Sequence, residues 1–338
     1  MLVVVFGTGR CGSTPIVEVI SRHRDVGFVS NLDDKLSLLN LKGAWNNRLH
    51  RLSPPRDPRL RPFRDRRKLI ELGRFRVAPA EAWNILDRQI APLVATPFRD
   101  LGAEDCTPWL NGRLRSFFES RMAAQKRDIF VQHLTGWPRS GFIRAAFPET
   151  RFVHVIRDGR AVANSWLQMG WWRGYQGPDA WHLGPLPPEA EAVWEESGRS
   201  FVVLAGLGWK LLIEAFERAR AEVPQDQWMQ VRYEDVVAEP GRYLREIVDF
   251  IGLPRSDEFE RDIDAYPFES GRVQGFRRDL GDANLALLER TIGSTLQAYG
   301  YELHSAAGRG SSNGVASAPP ISAGPQRPSA ARRRRTAS

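Results

Sequence analysis

The chain has 338 residues, of which 42% are hydrophobic, and a formal net charge of +8 at pH 7. This length allows one α/β domain with a full core, and the lack of a run of about 20 apolar residues excludes a membrane span. The two cysteines, Cys11 and Cys106, do not indicate a disulfide framework, and a cytoplasmic location is expected. The sequence has no cluster of cysteines and histidines with zinc-binding spacing.

The first 20 residues predict a strand, a glycine-rich loop and a helix. Residues 2–6 are all apolar, and the loop over residues 7–14 reads Gly-Thr-Gly-Arg-Cys-Gly-Ser-Thr. Gly7 and Gly12 occupy the glycine positions of a Walker A loop, but Ser13 stands where that motif has its lysine. Because free N–H groups at a helix N-terminus attract anions, the loop predicts a site for a phosphate or sulfate group. Since the Walker lysine is missing, the loop is not expected to hold the triphosphate of ATP or GTP.

Residues 51–76 form a basic segment with ten lysines and arginines against three acidic residues, a net charge of +7. Two interpretations remain open. The segment can form a loop and helix near an active-site mouth, where it favours an anionic ligand, or it can be a solvated basic surface.

Two later strands are each followed by a basic side chain. Residues 128–132 predict a strand followed by His133, and residues 151–156 predict a strand followed by Arg157. Ligands of α/β sheets gather at the carboxyl ends of strands, and a guanidinium forks onto phosphate. We therefore expect Arg157 to face an anion, with Ser165 of the next helix adding a hydrogen bond.

A fourth strand, residues 228–232, precedes Tyr233, and residues 271–280 form a glycine- and arginine-rich loop. The alternation of strands and helices predicts an α/β fold, in which a P-loop-like parallel sheet is flanked by helices on both faces. Residues 166–194 are rich in tryptophan and glycine, which is typical of a local core under a long loop or of an acceptor pocket.

The domain is expected to span residues 1–304. Residues 305–338 contain six arginines and no acidic residue, and they are rich in serine, alanine, glycine and proline. That composition predicts a disordered basic tail, solvated and without a specific nucleic-acid partner.

These segments, in this order, resemble the sulfotransferases that use 3′-phosphoadenosine 5′-phosphosulfate (PAPS). Within that family they are more similar to the bacterial and the carbohydrate- or tyrosine-directed members than to the small-phenol enzymes. The loop at residues 7–14 is similar to the family's G-x-x-R-S-G-[ST]-[ST] loop, with Cys11 where serine is usual. Arg157 and Ser165 match its 3′-phosphate motif, and Tyr233 matches the tyrosine of its YED motif. The loop at 271–280 matches the family's late glycine/arginine segment more loosely.

The resemblance implies a PAPS-dependent sulfotransferase that moves a sulfuryl group to a hydroxyl or amine acceptor without a metal. The acceptor (sugar, lipid, phenol or metabolite) and the oligomeric state are not predicted. Arg10 is expected to be both catalytic and cofactor-binding. The other cofactor-binding residues implied are Gly9, Cys11, Gly12, Ser13, Thr14, Arg157, Ser165, Tyr233, Arg272, Gly275 and Arg277.

The catalytic base has two candidate positions. Cytosolic members of the family place a histidine after the strand equivalent to residues 128–132, which favours His133, since imidazole titrates near neutral pH. Tyrosine-directed members use a glutamate after the first helix. That position falls near Asn31 here, which cannot act as a base, so Asp33 or Asp34 would substitute.

Two other classes of function remain. A P-loop kinase or NTPase with a degenerate Walker A loop would need magnesium and an acidic residue at the end of an apolar strand, where this chain has Arg157. A non-catalytic nucleotide-binding relative would bind without turnover.

Overall fold

The computed structural model describes residues 1–39, 41–55, 76–268 and 273–304. The predicted tail (305–338), Arg272 and most of the basic segment lie outside these described residues. A single parallel sheet of five strands is at the centre, in the order β2-β3-β1-β4-β5. The strands are β1 Leu2–Gly7, β2 Val26–Phe28, β3 Ile129–Thr135, β4 Arg151–Ile156 and β5 Trp228–Arg232.

Fourteen α-helices occur among the described residues, and helices pack on both faces of the sheet. In chain order they are α1 Ser13–Ile20, α2 Asn31–Lys35, α3 Asn46–Leu52, α4 Trp83–Gln89, α5 Pro92–Ala95, α6 Pro108–Gln125, α7 Ser140–Ala146, α8 Gly159–Leu167, α9 Pro188–Glu196, α10 Phe201–Glu222, α11 Tyr233–Ala238, α12 Pro240–Ile251, α13 Asp257–Ala265 and α14 Gly275–Ala298.

The two faces of the sheet are covered by different sets of side chains, because successive residues of a strand point in opposite directions. Val3 and Val5 of β1 face α1 and α12 in one buried cluster. Phe6 of β1 lies on the other face, with Phe216 of α10 edge-on at 4.9 Å between ring centroids. Both layers exclude water from the strands, and the predicted α/β architecture is confirmed.

The structure differs from the sequence-based prediction at two strands. The three-residue strand β2 was not predicted, and β3 runs three residues further than residue 132. His133 therefore lies inside β3, paired in register with Val5 of β1, and does not follow the strand.

The tryptophan-rich region beside the sheet is mainly core. Trp166, Trp172, Trp181 and Trp194 are buried in one cluster with α8, α10 and α14, whereas Trp171 is exposed. None of the helices in the described ranges combines the length and apolarity that a membrane span requires.

Candidate functional site

The glycine-rich loop begins at the carboxyl end of β1, between the ends of β3 and β4. Gly7 pairs in register with Thr135, and the Gly136 N–H donates to the Gly7 carbonyl at 3.0 Å. Arg157 directly follows β4, so the order of the strands brings it to the loop. This edge of a parallel sheet is where α/β proteins bind ligands.

Three residues of the loop adopt left-handed backbone conformations: Gly9 (φ 80°), Arg10 (φ 57°) and Gly12 (φ 90°). Successive backbone N–H groups in a turn of this kind can form a concave anion-binding site, called here the cradle. Helix α1 begins directly after Gly12 and adds its positive end to that cradle.

Cys11 lies under the loop and is fully buried. A Cβ atom on Gly7 would lie 2.5 Å from the Cys11 Sγ and 2.5 Å from the Val155 carbonyl oxygen, so the close packing of the thiol requires glycine there. Burial raises the pKa of the Cys11 thiol and keeps it neutral. The cysteine fills space beneath the cradle.

Two arginines converge on the loop. The Arg10 Nε donates to the Ser165 Oγ at 2.9 Å, and the Arg157 Nη1 donates to the Arg10 carbonyl at 3.0 Å. The structure thus brings together three residues that the sequence placed in two separate motifs. Two guanidinium groups and a hydroxyl next to a helix N-terminus can hold phosphate or sulfate.

Tyr233 closes one side of the cradle. Its ring lies under the Arg157 guanidinium, 4.7 Å from the ring centroid, and it occupies the space where a Cβ on Gly12 would stand. The next residue, Glu234, accepts hydrogen bonds from the Asp158 N–H at 3.1 Å and from the Tyr301 hydroxyl at 3.0 Å. Burial raises the pKa of Glu234. This carboxyl group fastens the end of β5 to the start of α8, a positioning contact that the sequence did not indicate.

His133 faces the loop from beneath. Its Nε2 lies 2.8 Å from the Ser13 Oγ, and only 3% of its surface is exposed. Burial lowers the pKa of His133, while the negative charges of Glu81 and Glu18 oppose that fall. The imidazole is therefore neutral at pH 7 and coupled to the first residue of α1.

Asp33 and Asp34 are both engaged in hydrogen bonds to backbone and amide groups. The Asp33 Oδ2 accepts from the Ser30 N–H at 2.8 Å, from the Ser30 hydroxyl at 2.9 Å and from the Asn46 amide at 2.5 Å. Asp34 accepts from the Asn84 amide at 2.9 Å and from the Ile85 N–H at 3.0 Å. These contacts close the first turns of α2 and α4.

Glu81 is a carboxylate near His133 that the sequence analysis missed. Its Oε2 accepts from the Trp83 Nε1 at 2.5 Å, and its side chain is half-buried. It precedes Ala82, a non-glycine residue in the left-handed region (φ 65°). No motif surrounds Glu81, and only the folded chain brings it to β3, where the Gln132 amide donates to its carbonyl at 3.0 Å.

The remaining predicted residues lie around the same edge. Thr14 is half-buried in the first turn of α1, and Gly275 and Arg277 begin α14. Helix α14 is tied to α8, which carries Ser165, because the Asn164 amide donates to Asp279 at 3.1 Å. Over the described ranges, no group of three or more acidic, histidine or cysteine residues can hold a metal ion.

The fold and the site define a P-loop-like protein whose loop has the geometry of an anion-binding site. The profile of the Sulfotransferase family matches residues 3–257. The chain belongs to this family and is an enzyme that transfers a sulfuryl group. Neither the match nor the described residues favour a kinase, since Ser13 replaces the Walker lysine and Arg157 follows β4.

Solved structures of several sulfotransferases match the chain, and one with a TM-score above 0.5 shares its fold. STF9 from Mycobacterium avium matches with a TM-score of 0.57 at 15% identity, over 89% of this chain and 77% of that one. The sulfotransferase domain of the curacin biosynthetic pathway has a TM-score of 0.44 at 13% identity, over 89% and 98% of the two chains. Mouse sulfotransferase SULT7A1, solved with PAP, has a TM-score of 0.36 at 12% identity, over 88% of each chain. No curated protein sequence matches the chain significantly.

Proposed function

We propose that PAPS is the sulfuryl donor and that the acceptor is a hydroxyl or amine group of a small molecule or glycan. The observation that carries the proposal is the convergence of Arg10, Arg157 and Ser165 over the positive end of α1. A donor with two separate anionic groups suits two guanidiniums better than a single phosphate does.

In this proposal the backbone N–H groups of residues 9–14, together with Arg10, hold the 5′-phosphosulfate. Arg157 and Ser165 bind the 3′-phosphate, and Tyr233 lies beside the adenine. Gly275 and Arg277 form the opposite wall, and the cofactor-binding role expected of Arg272 falls outside the described residues. Trp166 lies beside the loop: its Nε1, one of several buried indole N–H groups without a hydrogen-bond partner among the described groups, is 4.0 Å from the point where a Cβ on Gly9 would stand. A bound anion would give that N–H an acceptor.

The transfer requires an in-line attack of the acceptor oxygen or nitrogen on sulfur, while the bond from sulfur to the bridging oxygen of the donor breaks. Arg10 and the loop N–H groups stabilise the charge that develops on the leaving phosphate. We propose His133 as the base. Because its Nε2 contacts the Ser13 Oγ, the hydroxyl of Ser13 would take the acceptor's proton and pass its own proton to the neutral imidazole.

Glu81 is the second candidate for the base, since a half-buried carboxylate that acts electrostatically on His133 can also receive a proton. Asp33 or Asp34 can act as the base only if it first breaks the hydrogen bonds that it accepts at the first turn of α2 or of α4.

The test is transfer of labelled sulfate from PAPS to a panel of sugars, phenols, lipids and amines, in magnesium and in EDTA. We expect turnover with at least one acceptor class that EDTA leaves unchanged. Turnover of ATP that requires magnesium would support the kinase alternative instead. Tight binding of adenosine 3′,5′-bisphosphate with no transfer to any acceptor would identify a non-catalytic relative.

A further inference from the structure

One face of the molecule exposes large apolar side chains that no other described element covers. It is formed by residues 35–39 and 41–52, which include α3 and are called here the leucine face. Leu38 is 78% exposed, Leu52 75% and Trp45 64%. Further partly or largely exposed apolar residues of this face are Leu36, Leu39, Leu41 and Leu49. Soluble surfaces rarely concentrate so many large apolar side chains, and such patches mark interaction sites.

The leucine face is also basic. It carries Lys35, Lys42, Arg48 and Arg51 and has no acidic residue of its own, although Arg51 forms an ion pair with Glu258 of α13. The guanidinium carbon of Arg48 lies 5.8 Å from the centroid of the exposed Trp45 ring, which places a cation beside this indole. Leucine, tryptophan and arginine together are the composition of surfaces that lie in a membrane interface.

A groove continues the face at Lys42. Its volume is about 540 Å³, and its lining includes Lys42, Arg88, Arg113 and Trp109 and no acidic residue. The Arg113 guanidinium lies 5.0 Å from the Trp109 ring centroid. A groove with three cations and an exposed indole fits an anionic headgroup beside the apolar residues.

The charge distribution of the sequence points the same way. Residues 35–76 contain 13 lysines and arginines and three acidic residues, a net charge of +10. The whole chain has only +8, so the other residues sum to −2. The tail, residues 305–338, holds +6 of this remainder, so the rest of the chain outside residues 35–76 sums to −8. The cations of the leucine face and of the groove attract an anionic surface. The positive charge of the leucine face also opposes pairing with a second copy of the same face.

We propose that the leucine face and its groove bind the surface of a bilayer that contains anionic lipid. The leucines and Trp45 enter the boundary between headgroups and acyl chains, and the cations contact lipid phosphates. This proposal is independent of the donor and acceptor proposed above. It adds a surface for attachment without a membrane-spanning helix.

The experiment is co-sedimentation of the full chain with vesicles of phosphatidylcholine alone or with about 30% phosphatidylserine. We expect binding only to the anionic vesicles, with a loss of affinity between about 0.1 and about 0.5 M salt. The triple variant Leu38→Ser/Leu39→Ser/Trp45→Ser should bind at least about tenfold more weakly, because apolar insertion is lost. The matched control is Val193→Ser/Phe201→Ser, which removes exposed apolar residues elsewhere and should bind as the wild type does.

Two further measurements keep the outcomes distinct. The melting temperature and affinity for adenosine 3′,5′-bisphosphate of the triple variant should equal those of the wild type, which shows that it folds. The proposal is overturned if the triple variant binds vesicles normally, or if neutral and anionic vesicles bind equally. Loss of self-association in the triple variant without any vesicle binding by the wild type would assign the face to a dimer. RNA binding that the wild type shows and the triple variant loses, without any vesicle binding by the wild type, would assign the face to nucleic acid.

Discussion

Gly12 lies directly against the ring of Tyr233. A Cβ atom at residue 12 would stand 2.1 Å from the Tyr233 Cδ2, and its backbone has a φ of 90°, where side chains are strained. The contact joins the loop after β1 to the residue after β5, two segments far apart in the sequence. The shape of the cradle therefore depends on a glycine and a tyrosine together.

We expect Gly12→Ala to destabilise the fold by about 1–3 kcal/mol, through overpacking and backbone strain, and to weaken nucleotide binding further. Chemical denaturation and calorimetry measure the two effects. Adding Tyr233→Leu should recover part of the stability, because a smaller, flexible side chain can move away. Gly170→Ala is the control, since its added Cβ meets nothing within 4 Å. A stable Gly12→Ala variant with normal binding would contradict this account.

The 3′-phosphate should contribute strongly to binding. If Arg157 and Ser165 hold it, adenosine 3′,5′-bisphosphate should bind about 10- to 100-fold more tightly than adenosine 5′-phosphate, because removing the group leaves charged donors without an acceptor. Arg157→Ala should abolish the difference. Arg199→Ala, which removes a surface arginine paired with Glu195, should preserve it. Equal calorimetric affinities for the two nucleotides would refute the assignment.

Kinetic measurements on variants can distinguish between the candidates for the catalytic base. His133→Ala should lower kcat by roughly 100- to 10,000-fold with little change in nucleotide affinity. Arg10→Ala should weaken both turnover and binding. Ser13→Ala and His133→Ala should not be additive if the proton passes from one to the other.

Carboxylate variants complete that comparison. A large loss of kcat in Glu81→Gln with normal turnover in His133→Ala would move the base to Glu81. Asp33→Ala and Asp34→Ala should lower the melting temperature, since each removes helix-closing hydrogen bonds. A loss of turnover in either aspartate variant without any loss of stability would restore that aspartate as the base.

The stability of the fold should decrease in mild acid because of His154. Burial lowers the pKa of His154 to about 3, against about 6.5 in the unfolded chain. Between these values only the unfolded state binds the proton, so the stabilisation is complete above pH 6.5 and is lost as the pH falls towards 3. At pH 5 the loss from this group is about 2 kcal/mol.

His154→Phe should flatten the dependence between about pH 7 and about pH 5, because phenylalanine keeps the stacking on Phe216, whose ring centroid is 4.1 Å away, and does not titrate. Urea unfolding at several pH values measures the slope, and an unchanged slope in the variant would contradict the prediction.

Deletion of residues 306–338 should leave the melting temperature and turnover nearly unchanged, since the tail has few apolar residues to bury. The two are measured on the truncated and full chains. A substantial loss of stability would mean that the tail packs on the domain.

The sequence predicted the parallel sheet, and it singled out Arg10, Arg157 and Ser165, which the structure brings together, because both signals are encoded locally. Apolar runs mark β1 and β4, and glycine spacing marks the loop. Strand β2 was not predicted because three residues are too few to show the alternating pattern of a strand. The end of β3 was placed too early because Gln132 and His133 interrupt the apolar run, although both are buried by partners distant in sequence. Glu81 and Glu234 act through contacts that exist only once the chain has folded.

The buried thiol beneath the loop makes the motion of the cradle measurable. Cys11 can react with an alkylating reagent only when the loop lifts away from Gly7 and Val155, so the labelling rate reports how often it opens. With Cys106 replaced by serine, Cys11 would be the single thiol in the chain. A molecule bound in the cradle would hold the loop closed and slow the alkylation of Cys11. The labelling rate of this thiol would therefore report how much of the protein has the site occupied.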